Sequence, residues 1–314
     1  MPSVEYRPQL ATLVKSPPGS DEWLHEIKFD GYRIGCRIHR GRITLISRNG
    51  HDWTAAFPEI AAAAARLDAR DALVDGEVAM VLPDGRTSFQ ALQNAFAGTA
   101  ARAALVYFVF DLLRLDGDNL EALPLEERKA RLRTLVGRRT TGRIRYADHV
   151  VGRGDEFFHQ ACRIGLEGII SKRRQEPYHH GRHASWLKTK CTLREEFVIG
   201  GFTDPEGMRS GLGALLIGHY EDGRLVFAGK VGTGFTNKSA LELRQQLNAI
   251  ELKTSPFEPP PPGSLARVAH WVRPTLVCEV VFTEWTGDGR IRHPSFQGLR
   301  RDKRAREVVR ERPR

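Results

Sequence analysis

Glu26-Ile27-Lys28-Phe29-Asp30-Gly31-Tyr32-Arg33 is the stretch on which the reading of this chain turns. A lysine sits between two apolar residues, and a glycine turn and an arginine follow it. Residues two apart share a face of an extended strand, so Glu26 and Lys28 point the same way. A strand end that places Lys28 in a pocket would make its amine a nucleophile. A free lysine, with a pKa of about 10.4, is protonated and attacks poorly. Desolvation or nearby cations would lower that value and release the lone pair. Taken alone, K-x-D-G-x-R fits equally well a lysine and an aspartate on a solvated hairpin.

Further segments follow in order. Ser47-Arg48-Asn49-Gly50 ends a strand with a cation and a turn. Asp75-Gly76-Glu77 sets two carboxylates around a glycine inside an apolar strand. Tyr107-Phe108-Val109-Phe110-Asp111 brings aromatics up to an acid at a strand end. Glu167-Gly168-Ile169-Ile170-Ser171-Lys172 repeats the theme of acid, glycine, strand and lysine. Ser185-Trp186-Leu187-Lys188-Thr189-Lys190 alternates two lysines on one strand face. Arg300-Arg301-Asp302-Lys303 lies in a basic segment near the end.

The coarse pattern around these segments is mixed. Residues 1–20 read as an extended, proline-punctuated arm. Strands are expected over 23–33, 35–47, 72–81, 104–113 and 168–172. Helices are expected over 54–67, 89–96, 125–136 and 156–164. From Arg194 onward short β-like segments recur (197–202, 214–220, 225–231, 275–284), with one helix over 238–250 and a stiff proline loop at 259–262. Several short strands with one helix suit a small oligonucleotide-binding (OB) barrel. The natural boundary lies near residue 192, giving domains 1–191 and 192–314.

Composition narrows the classes. The 314 residues are 41% hydrophobic, which is enough for real cores and excludes wholesale disorder. Lys and Arg number 48 against 38 Asp and Glu, a net charge of +10 that favours a polyanionic partner such as nucleic acid. The four cysteines, Cys36, Cys162, Cys191 and Cys278, contain no C-x-x-C pair, which argues against a zinc ribbon or a disulfide scaffold and for a reducing cytosol. No apolar run suggests a signal core or a membrane span. His179, His180 and His183 read as surface histidines rather than a metal site. Gly211-Leu212-Gly213 is no phosphate-binding fingerprint, and a Walker-type lysine loop is absent.

The ordered set resembles the covalent nucleotidyltransferase superfamily of ligases and capping enzymes. It is most similar to the ligase module of the bacterial ligase D proteins of end joining. The resemblance runs over residues 26–303, and His293–Leu299 and Lys230–Phe235 carry its ligase D character. It implies an α+β nucleotidyltransferase domain with antiparallel sheets and flanking helices, followed by a small OB-fold β-barrel. It implies an ATP-dependent DNA ligase in which Lys28 takes AMP from ATP. By the same resemblance Glu26 reads the adenine amino group and Phe110 stacks on the base. Arg33 and Glu77 bind the ribose or a neighbouring phosphate, and Arg48 contacts a phosphate. Glu167, with Glu77, holds Mg2+ or Mn2+. Lys188 and Lys190 neutralise the α-phosphate, and Arg300, Asp302 and Lys303 orient the leaving pyrophosphate. A hinge near Lys190–Arg194 would separate an adenylating from a DNA-sealing arrangement.

The implied partners are nicked or broken duplex DNA, with bacterial Ku and separate polymerase and nuclease modules alongside. The expected setting is a cytoplasmic, nucleoid-associated monomer with no membrane contact. The alternatives are an RNA ligase or a GTP-dependent capping guanylyltransferase of the same superfamily. From another class comes a non-catalytic nucleic-acid-binding module, which would have no need of a lysine in a carboxylate-rich pocket.

Overall fold

The computed structural model describes residues 6–95, 100–137, 142–191, 193–205, 211–261, 263 and 265–310. Residues 1–5 of the expected arm, Phe96 at the end of an expected helix and Pro262 of the proline loop lie outside them. Two compact units divide after Cys191.

The first unit runs β1 Gln9–Leu13, β2 Trp23–Ile27, β3 Gly31–His39, β4 Arg42–Ser47, α1 Pro58–Ala64, β5 Asp71–Met80, α2 Phe89–Ala95, β6 Leu105–Leu115, β7 Asp118–Asn119, α3 Leu125–Val136, β8 Ile144–Tyr146, β9 Val150–Val151, α4 Gly154–Arg163, β10 Gly168–Arg173 and β11 Gly181–Lys190. One sheet has the order β4-β3-β5-β6-β7, with β8 parallel to β6, and the other has the order β1-β11-β10-β2-β9. Strand alternation gives the first sheet two different faces. Tyr32, Ile34, Cys36 and Ile38 pack into the main core with Ile60 of α1, Leu92 of α2 and Leu132 of α3. The opposite face carries Arg33 and Arg37, and there Leu73 and Phe110 join Tyr6, Tyr178 and Trp186 in a smaller cluster.

The helix expected over 54–67 is shorter. Pro58, which has no N–H to give, starts α1, and Thr54–Ala56 form a separate 3₁₀ turn. The cysteine reading also needs correction. Cys162, near the end of α4, and Cys191, just past β11, form a disulfide with Cα atoms 5.2 Å apart. Their spacing of 29 residues gave no sign of this. The return of β11 beside β10 carries Cys191 back to α4, where its N–H donates to the Glu167 carbonyl at 2.9 Å. Closing a loop of that length restricts the unfolded chain by roughly 3–4 kcal/mol in the chain-entropy account. Reductant should therefore lower the thermal midpoint of the wild type to that of Cys191→Ser and leave the variant unmoved. Equal midpoints throughout would show that the bridge adds nothing.

Gly168 fixes how closely β10 approaches β11. A Cβ built on it would lie 2.1 Å from the Thr189 carbonyl oxygen, with φ at +153°. Gly168→Ala should therefore cost about 2–3 kcal/mol, read as a fall in the chemical-denaturation midpoint. Because Lys28 and Lys190 both align on Gly168, adenylate formation should fall with it. Wild-type stability in the variant would mean the strands can part without loss.

The second unit runs β12 Leu193–Thr203, β13 Ala214–Glu221, β14 Arg224–Val231, α5 Asn237–Asn248, β15 Glu251–Leu252, α6 Leu265–Val268, β16 Ala269–Val272, β17 Val277–Phe282, β18 Glu284–Trp285, β19 Ile291–Arg292 and β20 Ser295–Leu299. β12 pairs along one edge with β13 and divides its other edge between β17 and β16. β17 in turn pairs with β20. Phe197, Ile199, Leu215 and Ile217 pack inward against Leu243 and Leu247 of α5. This is an OB-type arrangement of short antiparallel strands and one helix. Among the described residues no strand pairing closes β14 onto β20.

Candidate active site

Three strands of the five-stranded sheet build the site. Lys28 follows β2, and its N–H donates to the Gly168 carbonyl at 3.0 Å, so it extends the β2–β10 ladder. Gly168 pairs with Lys190 on β11, and Ile170 pairs with both Glu26 and Lys188. Cross-strand neighbours share a face, so Glu26, Lys28, Ile170, Lys188 and Lys190 present their side chains on one side. Lys188 and Lys190 are half-buried there.

The Lys28 ammonium lies 2.6 Å from Glu167 Oε1, and its side chain is 23% exposed. Burial works to lower its pKa, but Glu167, then Glu77 and Asp30, outweigh burial and raise it. The lowered value expected from desolvation is thus not what this arrangement gives. The three acids about it favour the protonated amine. Asp30 is itself fixed, accepting the Phe89 N–H at 2.6 Å.

Across the other sheet, Glu77 on β5 stands between Arg33 on β3 and Phe108 on β6. Arg33 forks onto the buried Asp75, with Nε–Oδ1 and Nη2–Oδ2 both 2.6 Å. The Tyr6 and Tyr178 hydroxyls donate to the same carboxylate at 2.6 and 2.7 Å. Phe110 is 7% exposed. Arg33 lies 4.4 Å and the Lys172 ammonium 4.2 Å from its ring centroid. The half-buried ring is that of Phe108, stacked on Phe29 with centroids 4.0 Å apart.

Glu26 is buried and held by two lysines, Lys129 Nζ at 2.5 Å from Oε1 and Lys172 Nζ at 2.7 Å from Oε2. Burial alone would raise the carboxyl's pKa, but Lys129 and Lys172 outweigh it and lower it. Arg48 is half-buried in the turn after β4, and no contact joins it to the other candidates among the described residues. In the second unit Arg300 forks onto Asp302, with Nε–Oδ1 2.9 Å and Nη2–Oδ2 2.7 Å, and Lys303 pairs with Glu196 at 2.9 Å. Arg300 also reaches Glu279 at 3.3 Å.

The sequence motifs included Asp75, Phe108 and Lys172 without giving them a role, and Lys129 was missed altogether. Lys172 shares its strand face with Ile170, a parity that could have pointed to it. Lys129 had a subtler signal. The buried stripe of α3 is Leu125, Arg128, Lys129, Leu132 and Val136, with two basic residues where an amphipathic helix turns to its core.

A family profile described as ATP dependent DNA ligase domain matches residues 8–190, and one described as ATP dependent DNA ligase C terminal region matches residues 208–303. The chain is 43% identical over 309 residues to the multifunctional non-homologous end joining protein LigD of Pseudomonas aeruginosa, covering 98% of this chain and 36% of that protein. It is 38% identical over 294 residues to the LigD DNA repair protein of Mycobacterium tuberculosis, covering 93% of this chain and 38% of that one. The chain thus spans rather more than a third of the length of these curated relatives. Among solved structures, a mycobacterial DNA ligase D complexed with ATP and MES is 36% identical, with a TM-score of 0.72 over 97% of this chain and 98% of that one.

Proposed function

This chain belongs to the ATP-dependent DNA ligases, and we propose that it seals 5′-phosphate to 3′-hydroxyl breaks in duplex DNA by way of AMP carried on Lys28. The carrying observation is the Lys28 amine on one sheet face with Lys188 and Lys190, 2.6 Å from the Glu167 carboxylate. In the first step the deprotonated Nζ attacks the α-phosphorus of ATP. The bond to pyrophosphate breaks, and a phosphoramidate forms. Next an oxygen of the DNA 5′-phosphate displaces the lysine and takes the AMP. The 3′-hydroxyl then attacks that phosphate, and AMP leaves with the bonding electrons. Lys188 and Lys190 are suited to balance charge gathering on the α-phosphate, and Glu26 to accept the adenine amino protons.

A divalent cation fits the donors. Glu167, 2.6 Å from the amine, and Glu77, whose charge also acts on it, offer hard carboxylate oxygens, and Mg2+ is commonly held by one or two carboxylates plus substrate phosphates. Bound there, Mg2+ or Mn2+ would supply Lewis-acid neutralisation of phosphate oxygens. Lys28, beside the same carboxylates, would then give up its proton more readily.

In this reading residues 1–191 are the adenylation domain and residues 192–314 the OB domain, whose Arg300, Asp302 and Lys303 serve the pyrophosphate. The names of the relatives support a role in end-joining DNA repair, and we extend the proposal to Ku, to separate polymerase and nuclease modules, and to a monomer beside the nucleoid. No described helix is long and apolar enough to cross a membrane.

The test is intact-mass measurement after incubation with Mg2+ and either ATP or GTP. A gain of one AMP from ATP alone, passed on to a nicked duplex, is expected. A GMP adduct would move the assignment to capping chemistry. No adduct on freshly de-adenylated protein would leave only a basic surface to explain.

A further inference from the structure

The Glu26 clamp carries more than a salt bridge needs. Both carboxylate oxygens are taken up by ammonium groups from different elements, Lys129 on α3 and Lys172 on β10. The three side chains are almost fully enclosed, at 2–3% exposure. Lys129 also donates to the Ala147 carbonyl at 3.0 Å, and its ammonium lies 4.5 Å from the Tyr146 ring centroid. The Lys172 ammonium sits 4.2 and 4.0 Å from the ring centroids of Phe110 and Trp186. Two cations on one anion, out of water, is an arrangement that costs more than a single pair. It leaves a net positive charge that a merely structural bridge would avoid.

Its chemical consequence lies in what Glu26 can do as a hydrogen-bonding group. An ionised carboxylate only accepts, whereas a protonated carboxyl also donates. At the position where adenine presents amino protons, guanine and hypoxanthine present a carbonyl oxygen. An ionised Glu26 therefore attracts the first and repels the second, while a neutral Glu26 could bind either. A carboxyl buried this deeply with no partner would hold its proton at neutral pH.

We propose that Lys129 and Lys172 are positioning residues that hold Glu26 in its acceptor-only form and so set the preference for an adenine nucleotide. This rests on the reading of Glu26 as the purine contact in a lysyl-AMP enzyme, and it assigns to two further residues the selectivity of that contact. The surrounding titratable groups are few. They are Tyr146 on β8, Asp148 and His149 in the following loop, and Asp111 on β6, which is forked by the buried Arg128. Burial pushes His149 below its usual range, so it stays neutral through the pH window of interest. Lys172 is the weaker holder. Burial lowers its pKa, Glu26 resists, and Lys129 lowers it further, to about 8.

The experiment compares ATP with ITP, which carries a carbonyl oxygen in place of the 6-amino group, as adenylation substrates with Mg2+ between pH 6.5 and 9. In Lys129→Met/Lys172→Met, with folding checked by thermal melt, the ITP-to-ATP ratio of kcat/KM should rise about tenfold or more at pH 6.5. It should fall back toward the wild-type ratio as Glu26 ionises at higher pH. Lys129→Arg/Lys172→Arg, which keeps both charges, should keep the wild-type ratio. A wild-type ratio in the methionine variant at every pH, a raised ratio with no pH dependence, or equal loss in the arginine variant would overturn the proposal. If the methionine pair does not fold, Glu26→Gln/Lys172→Met removes one charge of each sign. Its amide donates at all pH values, so its ratio must rise without pH dependence, and an unchanged ratio again overturns the proposal. Absence of any adduct from ATP in the wild type would instead defeat the underlying lysyl-AMP reading.

Discussion

Lys28→Ala is expected to form no adenylate, to lose at least about four orders of magnitude of sealing from ATP, and to melt within about 1 kcal/mol of the wild type. The small stability effect follows from the site. The Lys28–Glu167 pair lies partly in water, where an ion pair adds little, and the backbone bond to Gly168 does not depend on the side chain. The large effect on activity follows because no other described lysine is placed as Lys28 is. Lys188 and Lys190 share its face but sit on β11, across β10 from it. The final step offers a control. On a nick that already carries AMP on its 5′-phosphate, the 3′-hydroxyl displaces AMP without using the lysine, so the variant should still seal it. Gel assays on plain and pre-adenylated nicks make the comparison. Loss on both substrates would mean that Lys28 does more than carry AMP, and retention on plain nicks would move the nucleophile elsewhere.

Part of this site could be read directly from the sequence. Strand alternation sets Glu26 with Lys28 and Lys188 with Lys190, and the sheet register then brings both pairs onto the same face around Gly168. Arg33 and Glu77, by contrast, align only through the β3–β5 register. What periodicity does not carry is which charges meet across long stretches of chain. Lys129 lies 103 residues from Glu26, and Asp75 lies 42 and 103 residues from Arg33 and Tyr178. Each of those pairs depends on the tertiary fold: Arg33 meets Asp75 across the β3–β5 pairing, Tyr178 reaches Asp75 from the segment between β10 and β11, and Lys129 reaches Glu26 from α3. The cysteine bridge eluded sequence reading for the same reason. Among the aromatics, Phe108 and Phe110 share a strand parity, so alternation could not separate the half-buried ring from the enclosed one. The broken helix at Pro58 differs, since the proline was visible and the alanine run simply outweighed it.

Asp75→Ala should be the most destabilising single change considered, at about 3–5 kcal/mol. The carboxylate is fully buried and receives four hydrogen bonds, two from Arg33 on β3 and one each from Tyr6 and Tyr178. Tyr6 leads into β1, and Tyr178 lies between β10 and β11 of the other sheet. Removing Asp75 leaves a largely buried guanidinium, 18% exposed, without its counter-charge and two buried phenols without an acceptor, which is expensive away from water. The site should suffer too, because Arg33 covers the Phe110 ring and borders Glu77 in the sheet. A double variant separates the two effects. Arg33→Met/Asp75→Leu removes the ion pair as a unit, and replacing a buried pair by apolar groups of similar size is often close to neutral. Chemical denaturation should therefore show the double variant recovering most of the lost stability, with the two phenols accounting for the remainder. AMP uptake should stay low in it if Arg33 contacts the nucleotide. If the double variant is as unstable as Asp75→Ala, the four-way bond to Asp75 is holding the two sheets together by geometry rather than by balancing the arginine's charge.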